Sequence, residues 1–513
     1  MKTRAFLLCC WAAASVAAQQ PQGKPLRQRT LAEDLQLFSQ VLNQIRVNHP
    51  DSVDAHALLM SAVEGMVQAA DPHSFVIPAV RLDSARRRAW LEKKLYPVLI
   101  DFRFFQGAPL VVAVTPGSRA ARLDILVGDE LTEIDGVPVS ANSGEELSYT
   151  LAGPKGSSVK LGFERRRADG SVVAIERVVP RERSDDVTAV PVAVKLDAKT
   201  GYVRITTFSN DKVADDLNGQ IERLEKEGLE RLVLDLRDNG GGLVDQAASV
   251  AGAFLPRGTL VYTIASPKRE LVDTGRVKRS FWRSERKYPL VVMVNEGSAS
   301  ASELLAGALQ DNDRARVVGH TSFGKALVMQ TVPLSDGSLM VLVIGKVSTP
   351  CGRVVQRDYR GFTQRHYLRT AGAAQDTVGR PSCTTPGGRK LYGGGGIVPD
   401  VILPERTIPA WLNHLAESDV LLTWSGGYVS SHAATLTSLD QFAPSVMPSE
   451  VVADVRAFAT TRGVTLPTDS AATVLLERAI RRSVAYAKWG DEGVYRVVTL
   501  TDPEIAAAVR AFP

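Results

Sequence analysis

Cysteine is scarce in this chain, with four in 513 residues, and histidine is nearly as rare, with seven. That excludes a disulfide-dense scaffold and leaves no Cys/His spacing suited to zinc. Neither charge sign dominates: 61 basic residues against 56 acidic ones leave a net charge of +5. No basic run carries interleaved aromatics, so nucleic acid is not an expected partner. Arg86-Arg87-Arg88 and Arg165-Arg166-Arg167 are short and read as solvated faces. Beyond the N-terminus no apolar run approaches the ~20 residues that span a bilayer, so no permanent membrane span is expected. What is present, 44% hydrophobic and 23% charged residues, is the balance of a globular chain. Its length suits two to four domains at roughly 100–200 residues each.

The one apolar run lies at the start. Lys2 and Arg4 precede the apolar stretch Ala5 to Val16, and Val16-Ala17-Ala18 supplies small residues before Gln19. This is the pattern of a cleaved signal peptide over residues 1–18, with export as its consequence. Leu7-Leu8-Cys9 lacks the small residues that precede a lipidated cysteine. Cys9 and Cys10 would leave with the leader. Cys351 and Cys383 would then meet an oxidising compartment, 32 positions apart, and are expected to pair.

Along the chain, residues 19–30 are polar. Leu31, Leu35, Leu37, Val41, Leu42 and Ile45 recur at helical spacing, and a second helix is expected from about Val53 to Ala70. Asp71-Pro72-His73-Ser74 marks a turn. From Leu95 the pattern changes to short strands: Leu95 to Phe105, Leu110 to Val114, Leu131 to Ile134, Val159 to Arg165 and Val172 to Val179. A tight turn at Asp135-Gly136, a loop at Ala168-Asp169-Gly170 and a helix near Ser143–Leu151 punctuate them. From residue 200 to 400 strands and helices alternate, with buried strands at 232–236 and 290–294, which implies a layered α/β core. Residues 369–396 are rich in Gly, Thr and Ser and are expected on the surface. Residues 405–513 read as mainly helical: Ser449 to Thr460, Ser470 to Lys488 and Pro503 to Phe512, the last starting at Asp502-Pro503.

Chemistry concentrates in Gly297-Ser298-Ala299-Ser300-Ala301-Ser302-Glu303 and in Ser322-Phe323-Gly324-Lys325. A serine on a strand-to-helix turn is exposed, and N–H groups at the helix start favour a developing oxyanion. A serine cluster before a helix equally serves as an N-cap, and the residues themselves do not choose among Ser298, Ser300 and Ser302. Lysine, with an ordinary pKa of about 10.4, must be neutral to accept a proton, which apolar burial favours by up to ~3–5 units. Phe323, Leu327 and Val328 flank Lys325 accordingly. A Ser-His-Asp arrangement through His320 or His73 lacks the usual contexts.

Two resemblances carry the reading further. Val114 to Val139, with Pro-Gly-Ser, Ala-Ala, Gly-Asp and Ile-Asp-Gly in order, is similar to a PDZ domain. Such domains hold a peptide C-terminus on a glycine-containing loop. Here that loop falls at Tyr96-Pro97-Val98-Leu99-Ile100, which has no glycine. The wider chain, about residues 31–400, resembles the C-terminal processing (tail-specific) serine peptidases. The match runs through Ala70-Asp71-Pro72-His73-Ser74, Gly201-Tyr202-Val203-Arg204-Ile205 and Leu234-Asp235-Leu236-Arg237-Asp238-Asn239-Gly240-Gly241-Gly242. It continues through Val294 to Glu303, Ser322-Phe323-Gly324-Lys325 and Gly396-Ile397-Val398-Pro399-Asp400.

The resemblance implies an α/β fold: a layered (crotonase/Clp-like) peptidase core with an inserted PDZ domain, a helical N-terminal segment and a helical C-terminal extension. The expected boundaries are 1–18 signal peptide, 19–94 leader and N-terminal helices, 95–185 PDZ-like domain, 186–404 catalytic core and 405–513 extension. It implies a Ser–Lys dyad of Ser300 and Lys325, with backbone N–H groups of Ala301 and Gly241 as the oxyanion hole. Asp235, Arg237 and Glu303 are supports of that site. The family commonly has an orienting glutamine four residues after the lysine; Met329 stands there and Gln330 follows. In a strand that one-residue shift turns the side chain over unless a bulge restores it. The implied function is an exported serine endopeptidase acting on protein or peptide substrates, selecting them by their C-terminal tails, without metal or organic cofactor. The alternatives are a catalytically inactive PDZ scaffold and, on the same core, a retinoid- or lipid-binding relative.

Overall fold

The computed structural model describes residues 29–513 except 93, 106–107, 116–117, 127, 140, 142–143, 167–170, 183–187, 267–270, 279–283, 361, 363–365, 368–369, 371–377, 405–407 and 419. The expected signal peptide and most of the polar leader therefore lie outside the described residues, as do Pro116-Gly117 and Ala168-Asp169-Gly170. The chain divides into two compact units, residues 1–63 and 64–513. In the first, the helix Leu31–Asn48 starts at a capping box. Glu33 N–H donates to Thr30 Oγ1 at 3.3 Å while Glu33 Oε2 accepts from Thr30 N–H at 2.7 Å. A second helix, Ala55–Ala70, straddles the boundary.

The larger unit is built on a six-stranded sheet in the order Val401–Ile402, Arg316–Gly319, Leu290–Val294, Arg231–Asp235, Thr200–Arg204, Val192–Lys195. Its pairs are parallel except the last. Side chains alternate across a strand, so its inner strands bury both faces and read as continuous apolar runs. Leu232, Leu234, Val292, Val294 and Val317 enter one core with the helices Val213–Lys226, Val244–Ala251 and Ala301–Asp311. Tyr202, Val233, Val291, Met293 and Val318 enter another, closed by Ile505 and Ala508 of the last helix, Pro503–Arg510. The layered α/β reading holds, and its second layer comes from the far end of the chain.

A five-stranded antiparallel sheet flanks this core and contains Phe75–Ile77, Leu260–Ser266, Leu271–Arg276, Leu327–Pro333 and Leu339–Ser348. The PDZ-like sheet runs Ile100–Phe105, Ala108–Val114, Glu130–Ile134, Ser158–Arg166, Val172–Pro180, with helix Gly144–Leu151 beside the Ile100–Phe105 edge. The expected tight turn is there. Asp135 and Gly136 both have positive φ, 52° and 79°, and join Ile134 to Val137.

Arg86 departs from its expected solvated face. It is buried in the helix Ser84–Leu91 and donates to the carbonyls of Ala152, Tyr149 and Arg81. Those carbonyls end the PDZ helix and the preceding turn, so the guanidinium caps backbone that short apolar side chains could not reach. Within 369–396, Ser382–Thr384 and Lys390–Tyr392 pair as a two-stranded ribbon, and Cys351 is bonded to Cys383 as the spacing and compartment suggested. The last hundred residues are helical, with a core of their own around Leu476, Ile480, Val455 and Val484. The helix expected from Ser470 to Lys488 extends to Thr501, broken at Gly490 by φ 63°, ψ −148°.

Candidate active site

The three serines part company in their surroundings. Ser298 and Ser302 are fully buried. Ser298 Oγ donates to Leu236 O at 2.8 Å and accepts from Asn295 N–H at 3.0 Å. Ser302 Oγ donates to Asn239 O at 2.8 Å. Both hydroxyls thus tie the serine run to the loop 236–242, and neither faces a substrate. Ser300 is partly exposed. It precedes the first residue of helix Ala301–Asp311 with φ 54° and ψ −116°. A non-glycine residue held at positive φ costs of order 1–3 kcal/mol and persists only where its surroundings over-determine it.

The surroundings that hold it can be named. Ala299 N–H donates to Asn239 O at 3.0 Å, and Asn295 Oδ1 accepts Asp238 N–H at 2.8 Å. A Cβ on Gly297 would lie 2.9 Å from Asp238 Cα, so only glycine lets these two loops touch. Gly241 stands against the serine itself. A Cβ there would meet Ser300 Cβ at 2.8 Å and Ala301 N at 2.9 Å, and its φ is 98°. Gly241 is therefore beside Ser300, as the oxyanion reading requires. Its N–H, however, donates to Asn239 Oδ1 at 2.9 Å in this conformation. Ala301 supplies the N–H that opens the helix.

Glu303 joins the serine to the lysine. It is fully buried and takes four donors: Ser300 N–H at 2.9 Å, Ser322 Oγ at 2.5 Å, Gly324 N–H at 2.6 Å and Lys325 N–H at 2.8 Å. Ser322 Oγ accepts from Ile397 N–H, so its own proton points at Glu303. Four donors and no acceptor suit a carboxylate. Burial opposes them and leaves the carboxyl raised to about 7.

Behind the glycine loop, Arg237 is buried between Asp235, Asp502 and Glu504. It reaches Asp235 Oδ2 at 2.7 Å, Asp502 Oδ2 at 2.8 Å and Glu504 Oε2 at 2.6 Å. Asp235 also accepts Tyr202 Oη at 2.7 Å. Although desolvation pushes upward, these cations and donors hold its carboxyl down at about 2. Asp235, Arg237 and Glu303 are in contact with the loops that carry Gly241, Ser300 and Lys325, as supports would be. The two histidines contact other groups: His73 Nε2 is 3.2 Å from Tyr367 Oη, and His320 Nε2 is 3.7 Å from Glu504.

Gln330 is exposed in the strand Leu327–Pro333. Met329 turns into an apolar cluster with Phe75, Trp90 and Val341. A register shift does fall beside them, between Val328 and Met329, but the extra residue is Ile344 on the facing strand. Beside the lysine's turn stand residues that sequence reasoning passed over, Gln356, Arg357 and Tyr367. No group of three or more His, Cys, Asp or Glu residues suited to a metal ion occurs among the described residues.

Known proteins resemble this chain over both its core and its PDZ-like stretch. Residues 199–364 match the model of peptidase family S41 and residues 110–165 that of a PDZ domain. A carboxy-terminal-processing protease of Bartonella bacilliformis is 30% identical over 329 residues, 63% of this chain and 73% of that one. A carboxyl-terminal-processing protease of Synechocystis is 35% identical over 330 residues, 63% of this chain and 67% of that one. The chain belongs to peptidase family S41. As an S41 serine peptidase it acts on protein substrates, and its layered core with a PDZ domain is the fold expected. Among solved structures, the photosystem II D1 C-terminal processing protease is 24% identical, covering 74% of this chain and 89% of that one at a TM-score of 0.44. No helix among the described residues of this S41 peptidase is long and apolar enough to cross a membrane.

Proposed function

We propose that this S41 peptidase is an exported endopeptidase that works through a Ser300–Lys325 dyad. The observation that carries the choice is the difference among the serines. Ser298 and Ser302 spend their hydroxyls on backbone carbonyls in full burial, while Ser300 is partly exposed on a turn of positive φ. Glu303 supports the pairing, since one carboxylate holds the backbone of both Ser300 and Lys325.

Ser300 Oγ attacks the substrate carbonyl carbon as its proton passes to Lys325 Nζ. The oxyanion that forms accepts from Ala301 N–H, aided by the positive end of the helix, and from Gly241 N–H. Gly241 must first turn its N–H away from Asn239 Oδ1, a rotation its lack of a Cβ permits. Lys325 then returns the proton to the leaving amine, and water resolves the acyl-enzyme. Gln330 belongs to this reading as the residue that orients Lys325. No metal or organic cofactor enters these steps.

Export rests on the leader of residues 1–18, and its test is the mass of the mature chain, which should begin at Gln19. Tail selection would use the open edge Ile100–Phe105 beside helix Gly144–Leu151, where a substrate end can add as a strand. The domain limits 95–185, 186–404 and 405–513 belong to the same proposal. The deciding experiment is digestion of an unfolded protein by wild type, Ser300→Ala and Lys325→Ala. Each single change should lower kcat by at least about 10⁴-fold, because nucleophile and base act as a unit. Equal activity in all three would sink the mechanism.

A further inference from the structure

Lys325 sits in a turn, Phe323 to Ala326, that belongs to no helix or strand. Its place therefore depends on what grips the peptide groups around it. Glu303 grips two of them, the N–H groups of Gly324 and Lys325. A second grip comes from elsewhere in the chain. Arg357 N–H donates to Gly324 O at 3.0 Å, and Gln356 Oε1 accepts the N–H of Ala326, the residue after the lysine, at 2.9 Å.

The Gln356 amide has only one workable orientation. Ala326 N–H is a donor and needs the oxygen. Gln356 Nε2 faces the carbonyl of Arg357 at 3.0 Å, which needs a donor, and the hydroxyl of Tyr367 at 2.8 Å. Gln356 is 6% exposed, so water cannot take over these bonds without an opening of the site. Tyr367, itself buried, also lies 3.4 Å from Gly324 O.

The segment that carries Gln356 is anchored to the helix of the nucleophile. Cys351 N–H donates to Asp311 Oδ2 at 2.9 Å, and Arg353 pairs with Asp311 and donates to Gln310 Oε1 at 3.1 Å. Gln310 and Asp311 end the helix whose first residue follows Ser300. The disulfide to Cys383 brings in Thr385, whose Oγ1 donates to Asp313 Oδ1 at 2.8 Å, just beyond that helix end. Ser300 and Lys325 are thus tied together twice, at the near end of the helix through Glu303 and at its far end through the segment 351–357.

We propose that Gln356 is a positioning residue for Lys325: it fixes the peptide that follows the lysine, and so the direction from which the amine approaches Ser300. This rests on Lys325 being the general base. Misplacing a catalytic group by about 1 Å costs roughly 10²-fold in rate, whereas substrate binding need not change.

The test is the split between kcat and KM in the full-length enzyme on an unfolded protein substrate. Gln356→Met keeps length and volume but has no amide, and kcat should fall roughly ten- to hundred-fold with KM within about two-fold. Gln356→Glu keeps the acceptor for Ala326 N–H but offers Arg357 O a donor only when its carboxyl is protonated, so it should recover part of that loss. A Met variant with full kcat overturns the proposal, as does a Glu variant no better than Met. If Gln356→Met does not fold, Gln356→Glu and Gln356→Asn decide. Glu should retain more kcat than Asn, which is one carbon short of Ala326; the same kcat for both overturns it. Lys325→Ala separates the two layers of the argument. If that variant stays active, the base assignment fails whatever Gln356 does. If it is inactive while Gln356→Met keeps full kcat, only the positioning role fails.

Discussion

Ser298 and Ser302 differ from Ser300 by one turn of backbone and by everything that touches them. Since each donates to a buried carbonyl of the loop 236–239, Ser298→Ala and Ser302→Ala should each destabilise the fold by about 1–3 kcal/mol through an acceptor left without its donor. Both should keep measurable turnover, unlike Ser300→Ala; urea unfolding together with peptidase assays separates the two effects. Glu303 makes a second residue-scale prediction. Its neutral acid offers fewer acceptors to four donors, so activity should fall as pH drops through about 7. Stability should run the other way. The folded carboxyl, at about 7 against an ordinary 4.5, holds its proton more tightly than the unfolded one. Its contribution is therefore fully present below about 4.5 and lost as pH rises through about 7. The difference in unfolding free energy between wild type and Glu303→Gln, measured across that range, isolates this group. A difference independent of pH would refute it.

The last helix acts on a loop 265 positions away in sequence. Pro503–Arg510 starts at Asp502, whose Oδ1 accepts from Glu504 N–H, and the carboxylates of both residues meet Arg237. Arg237 leads into the glycine loop beside Ser300, so the C-terminal helix steadies that loop. Arg237→Met leaves Asp235, Asp502 and Glu504 without their shared cation, and should cost about 3–5 kcal/mol. Chemical unfolding monitored by tryptophan fluorescence measures it, and a cost below about 1 kcal/mol would show the network to be dispensable. Asp235 is held at about 2, so the stability it lends is present above its ordinary 3.8 and lost as pH falls through about 2. The sequence showed the Asp-x-Arg pair and a good helix start at Asp502-Pro503. It did not show that they meet, because ion pairs across 265 positions leave no periodicity to read.

Across the whole molecule, one disulfide closes the segment between residues 351 and 383 against the core. In the chain-entropy account a loop of that length contributes roughly 3–4 kcal/mol. Cys351→Ala paired with Cys383→Ala should lower unfolding free energy by about that amount, and wild type in excess dithiol should match the double variant. Equal stability with and without the bond would mean that the contacts of Asp311 and Asp313 hold the segment unaided. The PDZ domain packs on the core through Tyr149 and Leu95, which cluster with Trp90, Phe75 and Met329. Met329 therefore belongs to an apolar joint, which explains why a methionine rather than an amide stands four residues after the lysine.

Much of the architecture was legible in the chain because it follows from local rules. Apolar runs marked strands buried on both faces, helical spacing and Asp-Pro marked helices, and Asp135-Gly136 marked a hairpin. The ordered motifs from Asp71 to Asp400 pointed to the peptidase core. Tertiary structure alone decided what depends on residues far apart meeting in space. It bound the hydroxyls of Ser298 and Ser302 to buried carbonyls, buried Arg86 against the PDZ helix, and placed Gln356 on the peptide beside Lys325. The physical reason is the same in each case. Propensity and periodicity are properties of a few consecutive residues, whereas burial and hydrogen-bond satisfaction are settled only when distant segments pack.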